Sequence, residues 1–163
     1  MNVIKARDIS LSIDDITLSP LSDEHLPLLY KWNAHPEILP IDGTDDPEVV
    51  HKIYAACSEM GYCFLISFGD MPVGECVLTK KKLPNGEHDW AIDILIGETD
   101  FWGKGIAGKA VSALVDFALN TLNVNAVHAT IDKDNTKSRK LFEKLNFILV
   151  NQETKTLIYR LEK

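Results

Sequence analysis

The chain has 163 residues, enough for one domain around one core. With 45% of its residues hydrophobic and 25% charged, it is expected to pack as a globule rather than remain disordered. A net charge of −7 argues against unspecific nucleic-acid binding, and no apolar run approaches the roughly 20 residues that span a bilayer.

The charge is unevenly divided. Residues 1–100 hold 7 Lys and Arg against 18 Asp and Glu, whereas residues 101–163 hold 10 against 6. An acidic first part and a basic second part suggest two ligands of opposite charge. Met1 to Asp15 has no apolar segment of the secretory kind and reads as an N-terminal extension of a single domain, 1–163. The cysteines, Cys57, Cys63 and Cys76, form no CxxC and are odd in number, which suits a reduced, cytoplasmic protein with thiols as buried filler.

Ile16 to Leu21 reads as a strand, and Ser22 followed by Asp23 and Glu24 opens a helix to about Asn33. Pro36 to Asp46 is loop-like. Asp46-Pro47-Glu48 starts a second helix, with a capping acid and proline at the first helical position, ending near Gly61. The period then changes. Tyr62 to Phe68 and Val73 to Lys80 read as strands joined at Gly69-Asp70, and a tip at Pro84-Asn85-Gly86 leads into a strand over His88 to Gly97. The run Trp90 to Ile96 is apolar on both faces except at Asp93, as expected of a central strand covered on both sides. Gly103 to Leu122 is a helix with a stripe of Ala107, Val111, Leu114, Ala118 and Leu122. A strand over Ala126 to Ile131, a helix capped by Asn135 to Leu145, and strands over Phe147 to Val150 and Thr156 to Leu161 complete the chain. The order β-α-α-β-β-β-α-β-α-β-β predicts an α/β fold with helices flanking a mixed, mostly antiparallel sheet.

Between the central strand and the helix lies Phe101-Trp102-Gly103-Lys104-Gly105-Ile106-Ala107-Gly108-Lys109. Glycines let backbone N–H groups converge on an anion, and the helix start adds partial positive charge, so a pyrophosphate fits there. The Walker pattern GxxxxGK[ST] is absent. Gly103, Gly105 and Gly108 match GxGxxG, but no first βαβ unit precedes them and no acid follows at the required distance. The five histidines show no metal-ligand spacing, and no GxSxG elbow is present, so neither a metal site nor serine hydrolysis is expected.

This loop resembles motif A of the GNAT acetyltransferases, Q/R-x-x-G-x-G/A, matching it at Gly105 and Ala107, with Trp102 in place of the usual Gln or Arg. Asn135 to Phe147 resembles the family's N-x-x-S-x-x-x-[YF]-E-K-x-G-F signature, with Asn146 replacing glycine. The resemblance covers residues 16–161 and implies a sheet that splays after the central strand to admit the pantetheine arm of acetyl-coenzyme A. It implies that the donor is held by Ile94, Leu95, Ile96, Trp102, Gly103, Lys104, Gly105, Ile106, Ala107, Gly108, Lys109, Asn135, Ser138 and Phe142. It also implies that an amine attacks the thioester directly. Phe142 stands where many relatives carry a tyrosine that protonates the leaving thiolate.

Asp93 is the expected base or amine anchor, since an ionised carboxylate between two isoleucines is costly without a cationic partner. The strand Ala91 to Glu98 is similar to that of the aminoglycoside 6′-N-acetyltransferases, which carry an aspartate here. Trp32, His35 and Asp42 lie where the family frames its acceptor, and Glu75 is a second acid candidate. The expected partner is a small cationic amine of aminoglycoside or polyamine type, and the protein itself is expected to be a monomer or homodimer. A protein N-terminus, as in the ribosomal-protein acetyltransferases that the same segments also resemble, and a non-catalytic coenzyme A sensor are the alternatives.

Overall fold

A computed structural model describes residues 8–41, 43–82, 86 and 88–163. Eight strands form one sheet: β1 (Leu11–Ile13), β2 (Ile16–Pro20), β3 (Gly61–Phe68), β4 (Met71–Lys82), β5 (His88–Ile96), β6 (Ala126–Asp132), β7 (Ile148–Gln152) and β8 (Thr156–Glu162). Four helices accompany them: α1 (Leu26–Asn33), α2 (Pro47–Met60), α3 (Ile106–Asp116) and α4 (Thr136–Lys144). The spatial order is β1-β2-β3-β4-β5-β6-β8-β7, with every pairing antiparallel except β5 with β6.

The expected order holds, with one strand added: β1 pairs with β2 inside the segment read as an extension. The expected first helix divides into a single tight turn at Asp23–His25 and α1. The capped start at Asp46 forms as read, its carboxylate accepting the Glu48 N–H at 2.9 Å. The helix after the glycine loop starts at Ile106 and widens into a π turn at Phe117–Thr121, which moves its end away from a regular helical stripe. Of the expected tip at Pro84-Asn85-Gly86, only Gly86 is among the described residues.

The strand period of two sorts the sheet into two faces. Phe64, Ile66, Cys76, Leu78 and Ile92 join Ile106, Ala110, Val111 and Leu114 of α3 in the larger core. On the opposite face, Leu65 joins Leu29, Trp32 and Val50 from α1 and α2. Trp32 is wholly buried, its indole N–H donating to Glu98 at 2.7 Å. Gly97 makes room for it, because a Cβ there would lie 2.0 Å from the Trp32 ring. The first helix is thereby fixed against the end of β5.

Asn146 replaces the family glycine without strain. It closes α4 at φ 68° while its N–H donates to the Glu143 carbonyl and that of Phe147 donates to the Phe142 carbonyl. This is the six-to-one, five-to-two pattern of a Schellman cap, and asparagine tolerates the left-handed region better than other non-glycine residues.

The feature that positions the site is the β5–β6 seam. These strands pair in register only at Ala91 and His128, where His128 Nδ1 stands 2.5 Å from an Asp89 oxygen. Beyond Ala91, β5 remains paired with β4 as far as Ile96 on one side, while its other edge opens.

Candidate active site

Three cavities converge on the open half of β5. The largest, about 650 Å³, runs past Ile94, Leu95 and Ile96 to the loop Phe101–Gly108 and across to Asn135, Ser138 and Leu141 of α4. Its size falls within the range of pockets that enclose ligands of cofactor size. Gly103 and Gly105 take positive φ values of 76° and 77° and line the groove at the start of α3, where a helix N-terminus presents free amides. The groove is therefore suited to an anion at one end and, along the unpaired edge of β5, to a chain of amides that needs backbone partners.

Trp102, in place of the usual Gln or Arg, lines this groove. Its indole N–H donates to the Ile96 carbonyl at 2.8 Å, and the Lys137 ammonium lies 4.1 Å above its ring. The indole thus closes the end of β5 and brings a cation to the groove. Lys137 was not singled out by the sequence, and neither were Lys140, Glu37, Ile38 and Ile41, which also line it. Asn135 caps α4, its side-chain oxygen accepting the Ser138 N–H at 3.2 Å, and both residues face the groove.

Two lysines expected to hold the donor do not line the groove. Lys109 is 3.2 Å from Asp14 and 3.5 Å from Asp15, and these carboxylates hold its ammonium above the ordinary lysine range. Lys104 sits 5.0 Å over the Phe101 ring, outside the lining of the groove.

The second cavity, about 240 Å³, lies on the α1–α2 side and meets the groove at Ile94 and Leu95. Glu75 and Asp93 both line it. The register explains why: Val77 is opposite Asp93 and Glu75 opposite Leu95, so the two acids are diagonal neighbours on one face of adjacent strands. Burial pushes the Glu75 carboxyl up to about 7, and the nearby Asp93 charge adds to the rise. Asp93 borders open cavity space, yet the surrounding protein still strips water from it and raises its pKa; Lys81 opposes the rise. Cys57 and Cys63 line the same cavity. A hydrogen bond between the thiols lowers the pKa of Cys57 and, together with burial, raises that of Cys63. Cys57 is thus part of a cavity wall, and Cys76, though buried in the core, also borders the cavity.

Of the other expected acceptor residues, Trp32 is not a lining residue, because its whole side chain is core. His35 lies outside the three cavities, its Nδ1 accepting the Glu37 N–H at 3.2 Å. Asp42 falls outside the described residues. The lining instead comes from Leu29 and Asn33 on α1 and from Val50, Ile53, Tyr54 and Cys57 on α2, an i, i+3, i+4, i+7 stripe that the sequence displays but does not assign.

The third cavity, about 100 Å³, fills the gap between β5 and β6 and is lined by Asp93, Asn135, Ser138 and Phe142 among others. Phe142 is buried and meets Phe147 edge to face at 5.0 Å. It packs in the seam and has no proton to donate.

The family model "Acetyltransferase (GNAT) domain" matches residues 15–148. A human protein, "alpha/beta-tubulin-N-acetyltransferase 9", is 34% identical over 148 residues, covering 81% of this chain and 72% of that protein. The Bacillus licheniformis "uncharacterized N-acetyltransferase p20" is 30% identical over 86 residues, covering 53% of this chain and 47% of its own length, so the chain spans about half of that relative. An acetyltransferase structure from Agrobacterium tumefaciens superposes with a TM-score of 0.82 at 20% identity over 95% of both chains. The aminoglycoside acetyltransferase AAC(6′)-Ib, solved with coenzyme A, gives 0.78 at 21% identity over 91% of this chain and 95% of that one.

Proposed function

The chain belongs to the acetyltransferase (GNAT) family, and from that premise we propose that it acetylates a primary amine of a small cationic acceptor, of polyamine or aminoglycoside type, by direct attack. Acetyl-coenzyme A, when bound, supplies the acetyl group as an activated thioester. The observation that carries the acceptor assignment is the pair Glu75 and Asp93, placed in one cavity that shares Ile94 and Leu95 with the donor groove.

Asp93 anchors the incoming ammonium, a role that suits a carboxylate whose proton affinity Lys81 keeps in check. Glu75, with its pKa near 7, accepts the proton that the amine must lose before its nitrogen can attack. An alkylammonium with a pKa of about 10 is almost wholly protonated at neutral pH, so this transfer is required for reaction. The open edge of β5 offers backbone N–H groups to an oxygen that gains charge. Phe142 contributes shape only, and a thiolate leaves readily enough without an acid.

Replacing Asp93 by Asn is expected to lower kcat/KM for the acceptor about 100-fold while leaving the Kd for acetyl-coenzyme A unchanged; unchanged turnover would overturn the assignment. A second reading is favoured by one observation: the 34% identical human relative is named for acetylating tubulin, a protein acceptor. Turnover of N-terminal peptides with silence on small amines would establish it.

A further inference from the structure

The acceptor cavity combines two carboxylates with a lining that is mostly hydrocarbon. Glu75 and Asp93 supply the charge, and the walls are Leu29, Val50, Ile53, Tyr54, Val77 and Leu95. Several other polar groups of the lining have partners within the protein. The Asn33 side-chain amide donates to the Leu29 carbonyl at 2.9 Å, the Tyr54 hydroxyl donates to the Leu21 carbonyl at 3.4 Å, and the Cys63 sulfur accepts from the Ser58 hydroxyl at 3.9 Å. At about 240 Å³ the cavity is smaller than the roughly 300–1,000 Å³ of pockets that enclose a whole drug-sized ligand. It therefore surrounds only the reacting arm of the acceptor.

We infer that this arm is a primary ammonium on an unbranched aliphatic stem, held with its nitrogen at Asp93 and Glu75 and its methylenes against Val50, Ile53 and Leu95. The inference rests on the N-acetyltransferase reading and decides between the two acceptor types it allows. A sugar amine carries a ring oxygen and a hydroxyl within two carbons of its aminomethyl group. Inside this cavity those oxygens give up water and face a lining that is mostly hydrocarbon, a disfavoured state. A methylene stem loses nothing of the kind, and each enclosed CH₂ strengthens binding by a factor of about four. An N-terminal peptide is disfavoured for the same reason as the sugar, because its first amide lies one carbon from the reacting nitrogen.

The test is release of free coenzyme A thiol by the full chain with four acceptors: n-butylamine, 1,4-diaminobutane, kanamycin A and a methionine-initiated peptide. At least a tenfold higher kcat/KM for both aliphatic amines than for kanamycin and the peptide is expected. Equal or better turnover of kanamycin or of the peptide would overturn the inference while leaving the N-acetyltransferase reading intact. Silence on all four, with acetyl-coenzyme A binding retained, would overturn that reading and this inference with it. The variant Ile53→Asn places an amide on the wall at a residue 57% exposed, so the fold tolerates it. It is expected to lower kcat/KM for n-butylamine about fivefold and to raise the kanamycin-to-butylamine ratio; an unchanged ratio would remove Ile53 from the stem site.

Discussion

The donor groove and the acceptor cavity share the strand β5 but are assembled in opposite ways. The groove takes most of its lining from two short stretches of chain, Phe101 to Gly108 and Asn135 to Leu141, set on the open side of β5. The acceptor cavity is assembled from five elements, α1, α2, β3, β4 and β5, each giving between one and four residues. One is a local object whose glycines and cap residues specify backbone shape directly. The other exists only once two helices have been laid across one sheet face. Local construction suits a ligand shared by many proteins, and dispersed construction lets acceptor preference change one side chain at a time.

The comparison predicts that damage to each half is separable. Gly105 has a φ of 77° at the start of α3, so Gly105→Val forces a β-branched residue into the left-handed region. Affinity for acetyl-coenzyme A is expected to fall about 100-fold by calorimetry, with Tm lowered by several degrees in the absence of donor. Loss of acceptor binding in the same variant would show the halves to be coupled.

Glu75→Gln is expected to act on the other half, lowering kcat/KM about tenfold at pH 7.5 with donor affinity unchanged. The wild-type rate should rise with pH through about 7 as Glu75 loses its proton, and the variant should lack that limb. Stability follows with the opposite sign. A carboxyl whose folded pKa is raised holds its proton in the folded state over a window where the unfolded chain has lost it. The wild type therefore loses stability as pH rises from about 4.5 to about 7, and the Gln variant does not. Parallel stability curves for the two proteins would deny Glu75 its buried setting.

The smallest effect is expected at Lys109, whose ammonium is engaged by Asp14 and Asp15. Lys109→Ala should leave acetyl-coenzyme A affinity within twofold. A tenfold loss would mean that the lysine leaves its carboxylates when the donor binds.

The same division governs what was legible in the chain. The caps at Asp46 and Asn135, the hairpin at Gly69-Asp70 and the glycine loop are set by residues within a few positions of one another, and they appear where read. Asp93 stood out because one charge between two isoleucines is a local anomaly. Trp32 misled for a related reason: an aromatic residue at a helix end resembles a recognition residue until Gly97, 65 positions on, leaves a space that the indole fills. Lys109 misled because Asp14 and Asp15 are remote in sequence and adjacent in space. The α2 stripe of Val50, Ile53, Tyr54 and Cys57 carried the helical period, but nothing local distinguishes a stripe that lines a cavity from one that is core.

The sequence by itself determined the order of elements, the position of the glycine loop and the presence of an isolated acid on the central strand. These depend on backbone preferences and on periodicity, both expressed over a few residues. Tertiary structure alone decided that β5 and β6 part beyond Ala91, that Glu75 comes to lie diagonally beside Asp93, and that an aliphatic wall surrounds the two. The physical reason is that register and helix docking are set by burial summed over the whole sheet face, and that sum is carried by contacts between residues far apart along the chain.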